Sequence, residues 1–454
     1  MGRVLLVLLA LLAPSVKAAN LDVSASYRMR ALAYTNLNLN TSDKNSHSFI
    51  SNDARLELAV RKIYLETFGG EDTTLDVGIG LHALGVAGST TAFQPPFLKI
   101  AQHYPSSDFT PFFEKAYLAV HQLFGVPWDM TFGRQSYRLA SGLLLDDDGA
   151  GLTGGSIRGE LPWWGMKLEG FLFSARNSQT GPNNLTLYGV TLDVPSEGLW
   201  QFSQLIEHDR KSQTIFGCAY PGMPADGCVA ANASRLFSSA RYQINYGPII
   251  FDGEAAMQRG TAKLQSPLAG APDHITFDGN AQVLKAKWKQ RLYRTGEGIA
   301  RLSIARGSGD DPGTLMVDEA FFPSHGHRYS GMERSGFGDF FGATPYDAFG
   351  GSSASTSTAS GLKPGASGII AVGVGFTPPA YKGVALDIDY FLYQAERIQR
   401  GKRTLGAEWD FRLRYNIKDQ FSLSASAALF GVGTASNPAL GRSRKYTFEV
   451  NGRF

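Results

Sequence analysis

Lys285, Lys287, Lys289 and Arg291 occupy every second position of one stretch, with Ala286, Trp288 and Leu292 on the alternate positions. In an extended strand successive side chains point to opposite faces, so these four cations share one face at steps of about 7 Å. Like charges stacked in this way repel unless nearby acids or a passing anion neutralise them. The chemistry implied is conduction rather than bond making: a ladder of cations hands an anion from site to site, as charged rings do in selective pores. On the same alternation Arg28, Arg30, Arg241, Arg301, Arg412 and Arg414 join them as a candidate solute-binding surface. Asp387, Asp389, Glu408 and Asp410 fall on that face too, where they either space and orient the cations or pair with them as a structural lattice. The two readings are compatible, because a mixed lattice with a cationic surplus still favours anions.

Signals for other chemistry are weak. There is no CxxCH haem-attachment run, no P-loop and no triad spacing among the scattered His, Asp and Ser, so neither an enzyme nor a bound cofactor is expected. Asp146-Asp147-Asp148 lacks the alternation of a Ca²⁺-binding loop and reads as a solvated acidic loop tip. His325 and His327 flank Gly326 in an irregular loop, where metal binding and simple solvation are both open, and no metal site is assigned. The two cysteines, Cys218 and Cys228, lie in a Gly/Pro/Ala-rich stretch, and a loop-closing disulfide is the simplest reading after export to an oxidising compartment. A net charge of +3 is too small to imply nucleic acid as a partner.

The elements that must position the cations are strands. Leu405, Ala407, Trp409, Phe411, Leu413 and Tyr415 alternate with Thr404, Glu408, Asp410, Arg412 and Arg414, and Leu21 to Ala33 alternates in the same way. Comparable segments lie near 51–66, 73–84, 112–122, 127–136, 152–162, 164–175, 185–195, 198–208, 234–247, 248–260, 280–294, 296–307, 366–377, 381–394, 419–430 and 444–454. About 18 strands result, an even count as single-chain outer-membrane barrels require. Short connections such as Gly125-Val126, Tyr246-Gly247-Pro248 and Pro378-Pro379 alternate with long ones at 85–111, 137–151, 209–233, 261–279 and 308–365. A soluble sandwich does not produce that rhythm. With 52 glycines and 29 phenylalanines, the composition suits tight turns and aromatic girdles.

The predicted fold is therefore an all-β transmembrane antiparallel barrel with short periplasmic turns and long extracellular loops. The apolar face of each strand meets lipid and the polar face lines the lumen, because a cation at the bilayer midplane costs about 2–4 kcal/mol. Residues 1–18 read as a cleaved signal peptide, with a basic start at Arg3, an apolar core from Val4 to Ala13 and small residues Val16 and Ala18 before the cut. Residues 19–454 then form a single barrel domain, and the Gly/Ser/Thr run 350–361 reads as surface within its longest loop. The last strand alternates Tyr446, Phe448, Val450 and Phe454 with polar residues, and resembles the C-terminal signature read by barrel-assembly machinery.

Three stretches resemble the alginate export family of outer-membrane channels: Phe132-Gly133-Arg134-Gln135, Phe321 to Gly331 leading into Gly336-Phe337-Gly338-Asp339-Phe340-Phe341, and Leu405 to Asp410. The resemblance implies an 18-stranded barrel with an arginine-rich lumen that exports an anionic polysaccharide and works with periplasmic secretion partners. Outer-membrane lipid and lipopolysaccharide would surround it. Two departures are visible: Gly154 to Arg158 stands where a tryptophan and arginine are expected, and no periplasmic turn is long enough to act as a gate. A sheath around a multihaem cytochrome and a nutrient porin constricted by an inward fold of loop 308–365 are the alternatives.

Overall fold

In a computed structural model, the description covers residues 19–36, 46–65, 73–87, 100–101, 103–162, 165–175, 185–210, 215–216, 228–265, 267, 270–292, 296–311, 313–323, 325–345, 366–398, 403–418, 420–433 and 441–454. The expected signal peptide, Cys218 and the run 350–361 lie outside them. Eighteen strands form the wall. They are β1 (Asn20–Thr35), β2 (His47–Tyr64), β3 (Thr74–Ala87), β4 (Phe112–His121), β5 (Trp128–Gln135), β6 (Leu152–Glu160), β7 (Lys167–Ala175), β8 (Leu185–Pro195) and β9 (Leu199–Asp209). They continue as β10 (Cys228–Tyr246), β11 (Ile249–Leu264), β12 (His274–Leu292), β13 (Gly296–Gly307), β14 (Ala366–Thr377), β15 (Val384–Ile398), β16 (Thr404–Ile417), β17 (Phe421–Val432) and β18 (Ser443–Arg453).

Each strand pairs antiparallel with the next, and β1 pairs with β18 from Ser26↔Arg453 to Thr35↔Arg444, which closes the barrel. No strand edge is left open, as a membrane-spanning sheet requires. Short turns gather at one end: β10 and β11 are joined by Gly247 and Pro248 alone, with Gly247 at φ 55, a left-handed conformation that glycine adopts without steric penalty. Trp288, Trp409 and Phe448 project from the outer face, where about half of each surface is exposed. Their strand neighbours Lys287, Glu408 and Thr447 point the other way, into the barrel.

The apolar-out, polar-in rule holds over the short-turn half of the barrel and fails over the other half. Ile275 and Phe277 share the inward face of β12 with Lys285, yet both are almost fully buried. They are covered by loops that fold into the barrel and bring their own apolar side chains. One inner core joins Leu32, Tyr34, Phe49 and Phe430 of the wall to Met332, Phe340 and Phe341 of segment 308–345. A second joins Phe173, Leu187 and Phe237 to Leu143, Leu144 and Leu145 of segment 136–151. A third packs Ile275 and Phe277 against Met316. Each buried phenylalanine or leucine contributes about 1.5–3 kcal/mol, enough in sum to hold the loops inside.

β10, β11 and β12 consequently run several residues past their predicted ends, because their upper parts have these cores to pack on. The expected solvated tip at Asp146–Asp148 is corrected: all three aspartates are buried within the inward segment. Cys228 is buried at the start of β10 and carries no free thiol.

Candidate functional site

The inward segments leave a constricted passage, or eyelet, and the candidate cations around it fall into two groups. Six have acidic partners. Arg28 bonds Asp53 at 2.7 Å and Ser330 at 3.1 Å. Arg30 pairs with Glu333 of the inward loop and lies 3.9 Å from Glu449. Arg241 grips both oxygens of Asp252, at 2.8 and 2.7 Å. Arg301 does the same with Asp389, at 3.0 and 3.1 Å, and lies 3.3 Å from Asp387. Arg414 takes Asp387 at 2.8 Å, and Arg412 takes Asp339 of the loop at 2.6 Å.

Lys285, Lys287, Lys289 and Arg291 form the second group. Among the described residues none of their side chains has a salt bridge or hydrogen bond, and all four are exposed. The Lys285 ammonium lies 5.8 Å from the centroid of the Phe337 ring. In register Lys285 stands across from Asp252, but the two-point grip of Arg241 already takes both oxygens of that carboxylate. Lys287 stands across from Arg301, another cation. The expected lattice therefore forms around β13 to β16 and omits β12.

Two expected solute contacts are corrected. Arg30 and Glu408 are buried beneath the loop rather than lining the passage, while Asp410, also largely buried, still borders the lumen beside Arg412. Nor do the two acids neutralise the β12 cations. Glu408 accepts the backbone N–H of Phe340 at 2.6 Å and of Phe341 at 3.0 Å, and Asp410 accepts that of Asp339 at 2.8 Å. Glu333 sits between Arg30 and Lys445, the latter at 3.2 Å. Burial alone would raise the pKa of Glu333, but the two cations outweigh it and hold the carboxyl below its ordinary value.

Segment 136–151 meets segment 325–345 through His327. Its Nδ1 lies 2.7 Å from Asp148 and 3.1 Å from Asp146, and its Nε2 lies 2.9 Å from the Ser335 hydroxyl. Burial opposes a charge on the ring, but the hydrogen bonds to the two aspartates raise its pKa to about 9. Asp148 also accepts the backbone N–H groups of Arg328 and Tyr329, at 2.9 and 3.0 Å. Asp146, Asp148 and His327 place potential metal-ligating atoms within 4.8 Å of one another, yet Arg138 already pairs with Asp146 and lies 3.1 Å from His327. The protein thus supplies the countercharge itself.

Sequence reasoning passed over Arg138, Glu333, Asp339 and Lys445. Lys445 was visible on the polar face of the last strand, but the three loop residues carry no periodic signal. Two of the family-like stretches do meet in space, since the Gly336–Phe341 turn sits on Glu408 and Asp410.

No family model matches the chain, and no curated sequence is similar to it. The resemblance to the alginate export family is thus without a matching family model. Solved structures do share its architecture. OccAB1 of Acinetobacter baumannii has a TM-score of 0.55 at 8% identity, with 96% of each chain covered. OccAB4 of the same organism has a TM-score of 0.55 at 10% identity, over 95% of this chain and 98% of that one. OccK2 (OpdF) of Pseudomonas aeruginosa has a TM-score of 0.53 at 11% identity, over 96% and 98%. The common fold is the closed 18-strand outer-membrane porin barrel.

Proposed function

We propose that the protein is an outer-membrane channel that passes small anionic solutes, with nutrient uptake as the reading its geometry favours. The observation that carries this is the unpaired ladder of Lys285, Lys287, Lys289 and Arg291 beside a lattice in which the other cations are matched. An anion entering the lumen meets four cations with no internal acid to displace. Their spacing lets it move along β12 by partial hand-over, without a single deep well from which it would leave slowly.

Polysaccharide export fits less well. Segments 136–151 and 308–345 fold into the lumen and are fastened to its wall, so a polymer would have no continuous wide path. The same inward segments argue against a sheath around a cytochrome, which needs an unobstructed bore. They match instead the alternative in which loop 308–365 constricts a solute porin.

The test is the reversal potential across planar bilayers under a salt gradient. The wild-type channel is expected to prefer chloride to potassium, and Lys285→Glu/Lys287→Glu to prefer potassium at an unchanged barrel fold. A wild-type channel indifferent to the sign of the ion would overturn the proposal. Added polyuronate that traverses the pore rather than being excluded would restore the export reading.

A further inference from the structure

Two cavities open beside each other in the lumen, and among the described residues only Arg138 and His327 line both. The first, of 480 Å³, lies against β1, β2 and β18 and is lined by Arg28, Arg55 and Arg453. The second, of 470 Å³, lies against β12 to β16 and is lined by Lys285, Lys287 and Arg412. They lie against different arcs of the wall, and the two shared residues stand between them.

We propose that Arg138 and His327 form a bar across the eyelet that divides it into two lobes and sets the largest solute that can pass. The proposal rests on the channel reading but not on its ion preference. The Arg138 side chain is 51% exposed, so it projects into open lumen. It is nevertheless fixed at its tip, paired with Asp146 and lying 3.1 Å from His327 Nδ1. His327 is tied in turn to Asp148 at 2.7 Å and to Ser335 at 2.9 Å. The bar therefore links two inward segments, 136–151 and 325–345, and a held side chain excludes solute where a free one would swing aside. The lobes also differ in character. The first carries Arg28 already bound to Asp53, whereas the second holds the unpaired lysines. A small anion has the second lobe to itself, while a solute too broad for either lobe is stopped by the bar.

The experiment compares wild type, Arg138→Ala and Arg138→Met in planar bilayers, reading conductance and the exclusion limit for neutral polyethylene glycols of increasing size. Heat-modifiable migration on gels establishes that each variant is a folded barrel. Arg138→Ala is expected to join the lobes, raising conductance by roughly 1.5-fold or more and admitting larger polymers, because pore width sets both. Arg138→Met keeps the bulk and should keep the wild-type exclusion limit. An unchanged limit in the alanine variant, or equal widening in the methionine variant, would overturn the bar. A wild type without anion preference whose limit still shifts in Arg138→Ala would sink the ion-selective reading and leave the bar standing.

Discussion

Glu408 of β16 holds the inward loop by its backbone: the Phe340 N–H donates to Oε1 at 2.6 Å, and the next amide, of Phe341, donates to Oε2 at 3.0 Å. Neither contact depends on the side chain of a loop residue, so the grip survives most substitutions in the loop and few at Glu408. Removing it as Glu408→Ala leaves two buried amides without an acceptor, at about 1–3 kcal/mol each. We expect a lower thermal midpoint and faster proteolysis within 308–345, with Glu408→Gln intermediate because its amide oxygen still accepts one bond. Limited proteolysis in detergent, read by mass spectrometry, distinguishes loop release from loss of the barrel.

Glu333 is the acid shared by Arg30 and Lys445, and all three are buried. Replacing it by alanine strands two buried cations, a change that costs roughly 3–5 kcal/mol when a buried pair is broken. Because the Glu333 carboxyl is held below its ordinary pKa, its contribution is present at neutral pH and is lost as the pH falls through the folded value. The Glu333→Ala barrel should therefore show a thermal midpoint that depends less steeply on acidification than that of the wild type.

The alternation of strands was legible because it follows from the membrane: every strand must show lipid an apolar face and close on its neighbours. Eighteen strands follow from that constraint, most with ends within two or three residues of their positions. What the alternation hid is the second solvent-free interior. Ile275 and Phe277 face inward like Lys285, and nothing local says that a loop residue such as Met316 will cover them. Likewise Arg28 and Arg30 meet Ser330 and Glu333 some 300 residues further on, a juxtaposition with no periodic signature. Asp146 to Asp148 look like surface residues by type, and become interior ones because backbone amides and His327 satisfy their oxygens.

Arg301 spends its charge on Asp389 and Asp387. Converting Asp389 to asparagine should release part of that charge into the lumen beside Lys287 and strengthen anion preference. The pair is partly exposed, so stability should change by no more than about 1 kcal/mol. Reversal potentials of Asp389→Asn against wild type check the direction; a shift toward cations would contradict it.

His327 makes the eyelet sensitive to alkali. Its pKa is raised to about 9, so the stability it contributes is complete below its ordinary value of 6.5 and declines as pH rises through 9. Asp146, Asp148, Arg138 and Ser335 face the ring, and the aspartates favour its charged form while Arg138 opposes it. Between pH 7 and 10 the wild type should become noisier in single-channel recordings as the two segments part, with an effect on the order of 2 kcal/mol. His327→Gln, which cannot take a proton, should be noisy throughout and show no such transition.

The arrangement around Glu333 has a mechanical consequence. Arg30 belongs to the first strand and Lys445 to the last, and Glu333 reaches both from a loop that leaves the wall between the thirteenth and fourteenth. The seam where the cylinder is joined is thus stitched from within by a residue belonging to neither edge. Prising the two edges apart sideways, to let a lipid or a new hairpin between them, would expose two cations and a carboxylate together. The inward loop therefore acts as a rivet against lateral opening as well as a narrowing of the bore.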